Sequence, residues 1–171
     1  MGVLITTFSY AQQFQKGTTV VNAGIGLGTA LGGLGKARPA ISLSLDRGLW
    51  PVGGPGVISL GGYLGNTGYK YSSGGYTAKW NYFIVGARGA YHYNGFSSVP
   101  ELDVYGGAML GYNIVNYSSD GNDVDISNSY GSGIGLSGFL GGRWFFTERI
   151  GAYAELGYGV SVLNAGLAIK F

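Results

Sequence analysis

The most constraining feature of this chain is a strict two-residue alternation that recurs in eight segments. In 163–171, Leu163, Ala165, Leu167, Ile169 and Phe171 share one parity, and Asn164, Gly166, Ala168 and Lys170 share the other. Side chains of a strand point alternately to opposite faces, so such a segment is a strand with one apolar and one small or polar face. The same pattern runs through 20–28, 40–46, 57–65, 83–93, 102–115, 134–146 and 152–160. No helical period competes over a comparable length. The connections at 29–38, 47–56, 66–79, 94–100, 117–130, 147–150 and 161–162 are turn-rich. Pro39, Pro51, Pro55 and Pro100 fall in turns or at strand starts, where a missing N–H does no harm.

The two faces differ in kind. The first carries continuous Leu, Ile, Val and aromatic residues. The second carries Gly, Ser, Asn and nearly all strand charges, and 35 of the 171 residues are glycine. A soluble barrel would turn its apolar parity inward and clothe the outside in charge. Here charged residues are only 11% of the chain, against about a quarter in ordinary proteins, and the small parity is too sparse to serve as a solvated surface. The apolar parity therefore suits a lipid-facing wall. A bilayer tolerates a sheet only as a closed barrel, because an open edge leaves backbone groups unpaired. Inward glycines let eight strands close tightly. Trp50, Tyr91, Tyr93, Tyr112, Trp144 and Phe146 near strand ends fit interfacial girdles. The expected fold is all-β, an eight-stranded antiparallel up-and-down transmembrane β-barrel over 12–171, in one domain.

Other classes are excluded by composition. The chain has no cysteine and one histidine, so a disulfide framework, a thiolate zinc site and a multi-histidine metal site are ruled out. Net charge is +2 without a basic block, so nothing points to nucleic acid. No cofactor is expected. The apolar Val3–Phe8 followed by Ser9-Tyr10-Ala11 reads as a signal-peptide remnant over 1–11, with the mature protein starting near Gln12; the alternative is an ordinary N-terminal strand.

The terminal Gly166-Leu-Ala-Ile-Lys-Phe171, with Leu167, Ile169 and the final Phe171 alternating, looks like the assembly signal that closes bacterial outer-membrane barrels. Together with Tyr153-Ala-Glu-Leu-Gly-Tyr158, residues 17–171 resemble the small eight-stranded outer-membrane barrels of the OmpA transmembrane domain and OmpX group. The resemblance implies residence in the outer membrane of Gram-negative bacteria, with both termini periplasmic. It implies contact with outer-membrane lipid and lipopolysaccharide, and with the barrel assembly machinery during biogenesis. It places 29–38, 66–79, 117–130 and 161–162 outside, and 47–56, 94–100 and 147–150 on the periplasmic side.

The inward parity carries Asp46, Arg88, Asp103, Arg143, Glu155 and Lys170, with His92. The six charges sum to zero and lie toward the periplasmic ends of their strands. Matching parity in the hairpin 140–158 sets Arg143 opposite Glu155. Buried charges are tolerated when paired and hydrogen-bonded, so a paired-charge plug is the main reading, and an ion path the other. His92 invites comparison with small outer-membrane barrels that modify lipid A. It lies, however, about 25 Å from the outer leaflet by the height of the apolar band, without a serine or acid nucleophile at the outer rim within hydrogen-bond reach. No catalytic residue is assigned.

The acidic stretch Ser119–Ser127, with Asp120, Asp123 and Asp125, spaces oxygen ligands alternately but fails the EF-hand pattern at Val124 and Asn128. It reads as a solvated turn. Gly32-Gly-Leu-Gly-Lys36 lacks the Gly and Ser/Thr of a phosphate loop, having Ala30 and Ala37, and Gly24-x-Gly26-x-Gly28 lacks the dinucleotide-binding spacing. Lys36, Arg38, Lys70 and Lys79 fall on the first two outer loops, as contacts for lipopolysaccharide phosphates or as ordinary solvated charge. The function expected is a non-enzymatic outer-membrane barrel with a structural or surface-interaction role, recognition resting on Tyr69, Tyr71, Tyr76 and the acidic loop. The alternative is a narrow porin-like channel or small-molecule conduit, and a third reading is a lipid A-modifying enzyme.

Overall fold

A computed structural model describes residues 13–28, 36–73, 76–119, 132–157 and 159–171. Residues 1–11, expected to be a signal-peptide remnant, and the acidic loop from Asp120 to Ser127 lie outside them. Eight strands form one closed antiparallel barrel in chain order: β1 (Thr19–Leu27), β2 (Lys36–Val52), β3 (Gly56–Ser73), β4 (Tyr76–Tyr93), β5 (Leu102–Ser119), β6 (Gly133–Phe145), β7 (Ile150–Gly157) and β8 (Leu163–Lys170). β1 pairs with both β2 and β8, so no edge is left open. The end that holds both termini is called the terminal end below, and its opposite the far end.

Several ladders run longer than the apolar alternation. Residues 66–73 and 76–79 are not a loop: β3 and β4 stay paired to Ser73↔Tyr76. β2 reaches Val52 and β3 starts at Gly56, which leaves a turn around Gly54 at φ 86° where the expected connection spanned 47–56. A register shift between Gly48 and Trp50 turns the even-numbered Trp50 outward, where it is exposed. The expected girdle residues Tyr91, Tyr93, Tyr112, Trp144 and Phe146 are exposed as well.

The faces follow the parity. Leu60, Leu64, Leu110, Leu136, Leu140, Leu156 and Leu167 are all on the outside, between 42% and 78% exposed. Leu167, Ile169 and Phe171 of the C-terminal signal share that wall, while Gly166 faces inward against β1. One expectation fails at β7. The strand stops at Gly157, and Val160, read as outward, is fully buried. Residues 159–162 leave the sheet and bend into the barrel mouth, where Val160 packs with Ala40, Tyr63, Ile84 and Met109. Gly26 is what admits this bend, since a Cβ there would collide with the Ser161 side chain.

Candidate functional site in the barrel lumen

Each inward charge sits on a different strand, so closure of the barrel brings the set together. Lys170 (β8) is buried, and so are Asp46 (β2), Arg88 and His92 (β4), Asp103 (β5), Arg143 (β6) and Glu155 (β7), the six residues whose contacts follow. They form one chain of ion pairs. Glu155 takes Arg88 in a fork, Nη2 to Oε2 at 2.7 Å and Nη1 to Oε1 at 3.3 Å. Arg88 Nε faces Asp46 Oδ1 at 3.0 Å, an ionic contact outside hydrogen-bond alignment. The other oxygen of Asp46 accepts from Arg143 Nη2. Arg143 Nη1 donates to Asp103 Oδ2 at 2.8 Å, and its Nε donates to Asn22 Oδ1 at 2.9 Å. Asp103 Oδ1 lies 2.8 Å from His92 Nδ1, and Tyr105 donates to Glu155 at 3.1 Å.

The register expected in the hairpin is corrected. Arg143 pairs with Tyr153, and Glu155 with Gly141, a two-residue slip from the expected opposition of Arg143 and Glu155. Parity fixes a strand pair only to within steps of two residues. Glu155 consequently reaches across the lumen to Arg88, and Arg143 to Asp46 and Asp103. Both guanidinium groups also lie over aromatic faces: Arg88 is 3.8 Å from the Phe139 centroid and Arg143 is 4.2 Å from that of Tyr105. Lys170 Nζ stands 4.3 Å from the Phe145 ring centroid.

Sequence reasoning missed a residue packed into the terminal end. Phe14 precedes the first strand and belongs to no alternation, so nothing in the pattern marked it. Its ring stacks on His92 with centroids 3.7 Å apart and planes inclined by 14°. Phe14 packs with Val20, Val57, Phe145 and Ala168 beneath the charges. The segment that carries it turns at Gly17, φ 90°, and is pinned to β2 by Gly17 N–H donating to Gly48 C=O and Gly48 N–H donating to Thr18 C=O, each 2.9 Å. A side chain at position 48 would collide with the Gln15 carbonyl, so this approach requires glycine.

Among the described residues three layers of side chains therefore lie in the lumen: the aromatic and aliphatic layer around Phe14, the ion-pair chain, and the layer around Val160. Between the last two lies a cavity of about 10 Å³, bordered by Arg88, Glu155, Tyr63 and Asn164, room for about one water molecule. Ser42, Ser161 and Asn164 close a hydrogen-bonded group on its far side.

His92 has a partner that strand-by-strand reading did not supply. Its Nε2 shares a 2.9 Å hydrogen bond with Ser59 Oγ, so Ser59, His92 and Asp103 stand in a row. Ser59 and His92 are wholly buried, the Phe14 ring covers the imidazole, and Arg143 holds the second oxygen of Asp103. Among the described residues no group of His, Asp and Glu is arranged to hold a metal ion.

Of the residues expected at the surface, Tyr69 is corrected. It sits on the inward parity of β3 and is buried inside the far mouth, its ring edge-on to Tyr82 at 5.8 Å. The side chains of Tyr71 and Tyr76, with Asp120, Asp123 and Asp125, lie outside the described residues.

The architecture is that of a small eight-stranded barrel with an apolar outer wall and a packed, charged lumen. Solved structures similar to it include outer-membrane barrels. Ail, the attachment invasion locus protein of Yersinia pestis, superposes with a TM-score of 0.53 at 15% identity, over 92% of this chain and 100% of that one. Neisserial surface protein A gives 0.53 at 21% identity over 90% and 96%. The N-terminal β-barrel domain of Pseudomonas aeruginosa OprF gives 0.50 at 16% over 91% and 98%. Ail has also been solved with the heparin analogue sucrose octasulfate. No protein-family model matches the sequence, and no curated protein does. At these identities the likeness is one of fold.

Proposed function

We propose that this chain is an integral outer-membrane β-barrel protein of non-enzymatic kind, with a closed lumen and a structural or surface-interaction role. The observation that carries this reading is the outer wall. Aliphatic side chains on every strand point outward and are exposed, an apolar surface far beyond what a water-soluble monomer presents. The fold shared with Ail, NspA and OprF supports the same setting. By that analogy the terminal end faces the periplasm and the far end the outside.

The filled lumen favours a plug over a conduit, because the charges are satisfied by one another and both mouths are occupied, by Phe14 and by Val160. Burial of Ser59 and His92 favours packing over catalysis, since a nucleophile must meet its substrate. The test is fractionation of cells expressing the chain with an export signal. The expected result is recovery in the outer membrane, with an unboiled band that migrates differently from the boiled one, and an unaltered lipid A mass spectrum. Recovery as a soluble periplasmic protein would overturn the membrane reading, and a changed acyl pattern the non-enzymatic one.

A further inference from the structure

On the outer wall of β2, β3 and β4, the apolar column ends in cations at the far end. Going up β3 on the outward parity, Leu64 is followed by Asn66, Gly68 and Lys70; down the facing strand stand Lys79, Asn81, Phe83 and Val85. Arg38 of β2 lies across Gly68, and its guanidinium donates to the side-chain oxygens of Asn66 and Asn81, the latter at 3.0 Å. Asn66 is itself fixed, its amide donating to Asn81 Oδ1 and to the Tyr82 carbonyl, each at 2.9 Å. The guanidinium is thus held in place immediately above lipid-facing side chains.

Directly beyond it Lys70 and Lys79 stand opposite one another in the ladder. Like charges set opposite one another on a sheet repel. Among the described residues none of Arg38, Lys70 and Lys79 is paired with a carboxylate. The described acidic side chains are Asp46, Asp103 and Glu155 in the lumen, with Glu101 and Glu148 in the turns of the terminal end. Arg38, Lys70, Lys79, Trp80 and Asn81 border an open groove of about 280 Å³. An immobilised guanidinium flanked by ammonium groups is a recognition geometry for phosphate.

We propose that this groove binds a phosphate group of a membrane glycolipid whose acyl chains lie along the Leu64, Phe83 and Val85 wall. The inference rests on the membrane reading above. The height and face of the patch select a lipid over a soluble anion: the cations continue the outward parity of the apolar band, where headgroups stand, and do not point into the lumen.

The test is native mass spectrometry of the detergent-folded chain, titrated with bisphosphorylated lipid A, dephosphorylated lipid A, sucrose octasulfate or inorganic phosphate. The comparison is with K70Q/K79Q, which removes two exposed charges and leaves the Arg38 clamp intact. A heat-sensitive gel shift reports barrel folding separately, so a failed barrel and a failed site are distinguishable. The expected result is a retained bisphosphorylated lipid, with binding weakened about thirtyfold in K70Q/K79Q, about fivefold per lysine. Dephosphorylated lipid A should bind at least as weakly as that. Equal binding of the two lipids, wild-type affinity in folded K70Q/K79Q, or no lipid A on the folded wild type overturns the proposal. Tight sucrose octasulfate without lipid A would assign the patch to soluble polyanions and overturn it equally.

Discussion

Replacing Arg143 with methionine probes the lumen at its most connected point. Methionine keeps an unbranched stem out to about the position of Nε, so the change removes the guanidinium with its charge and its hydrogen bonds while the packing of the stem is retained. Arg143 serves Asp46, Asp103 and Asn22 at once and is fully buried. Without it Asp46 keeps its contact with Arg88, Asp103 keeps His92 and the more distant charge of Lys170, and Asn22 loses its donor. Removing one partner of a buried ion pair costs about 3–5 kcal/mol. Two carboxylates are deprived here, which sets the expectation at the upper end, about 5 kcal/mol. With a urea slope of about 2 kcal/mol/M, the unfolding midpoint falls by about 2.5 M. The assay is urea unfolding of protein reconstituted in lipid vesicles, read by the heat-sensitive gel shift. Adding D103N to R143M removes one stranded charge and should recover about 1 M of the midpoint, a coupling that only interacting sites show. A fall of less than about 0.3 M, the size of an exposed pair's contribution, would refute the claim that the network holds the lumen together.

Three further outcomes follow from the same geometry. F14A strips the ring from His92 and from the terminal-end layer, and should destabilise the barrel by about 3 kcal/mol in the same urea assay. G48V should displace the Gln15–Thr18 segment, and in combination with F14A it should cost clearly less than the two single losses added, because both undo the same packing of the Phe14 segment. L140R places a charge on the apolar wall and should destabilise vesicle-inserted protein by about 2–4 kcal/mol; a neutral or stabilising effect would mean that Leu140 does not face lipid.

The fold was legible because an apolar outer wall and a packed lumen demand opposite side chains on alternate residues, and the pattern is kept wherever both are present. It faded where one of them was missing. Above the apolar band β3 and β4 continue as a ladder through Tyr69, Lys70, Lys79 and Trp80, but there the outward face no longer needs Leu or Ile, so the strands read as loop. The identity of the lumen charges was equally plain, because a charge opposite an aliphatic face has one place to go. Their partners were not, since alternation gives parity and leaves the register open by steps of two. Phe14 and Val160 were illegible for another reason. Both pack into the barrel interior from irregular segments, and such a residue is placed by what it covers, which no local period encodes.

Planar-bilayer conductance of the folded chain tests the central claim, a barrel closed by its own side chains, most directly. With insertion confirmed by the gel shift, the account predicts a flat trace for the wild type and current fluctuations for F14A combined with R143M. Discrete, ion-selective steps in the wild type would contradict it and make the charge network the gate of a conduit.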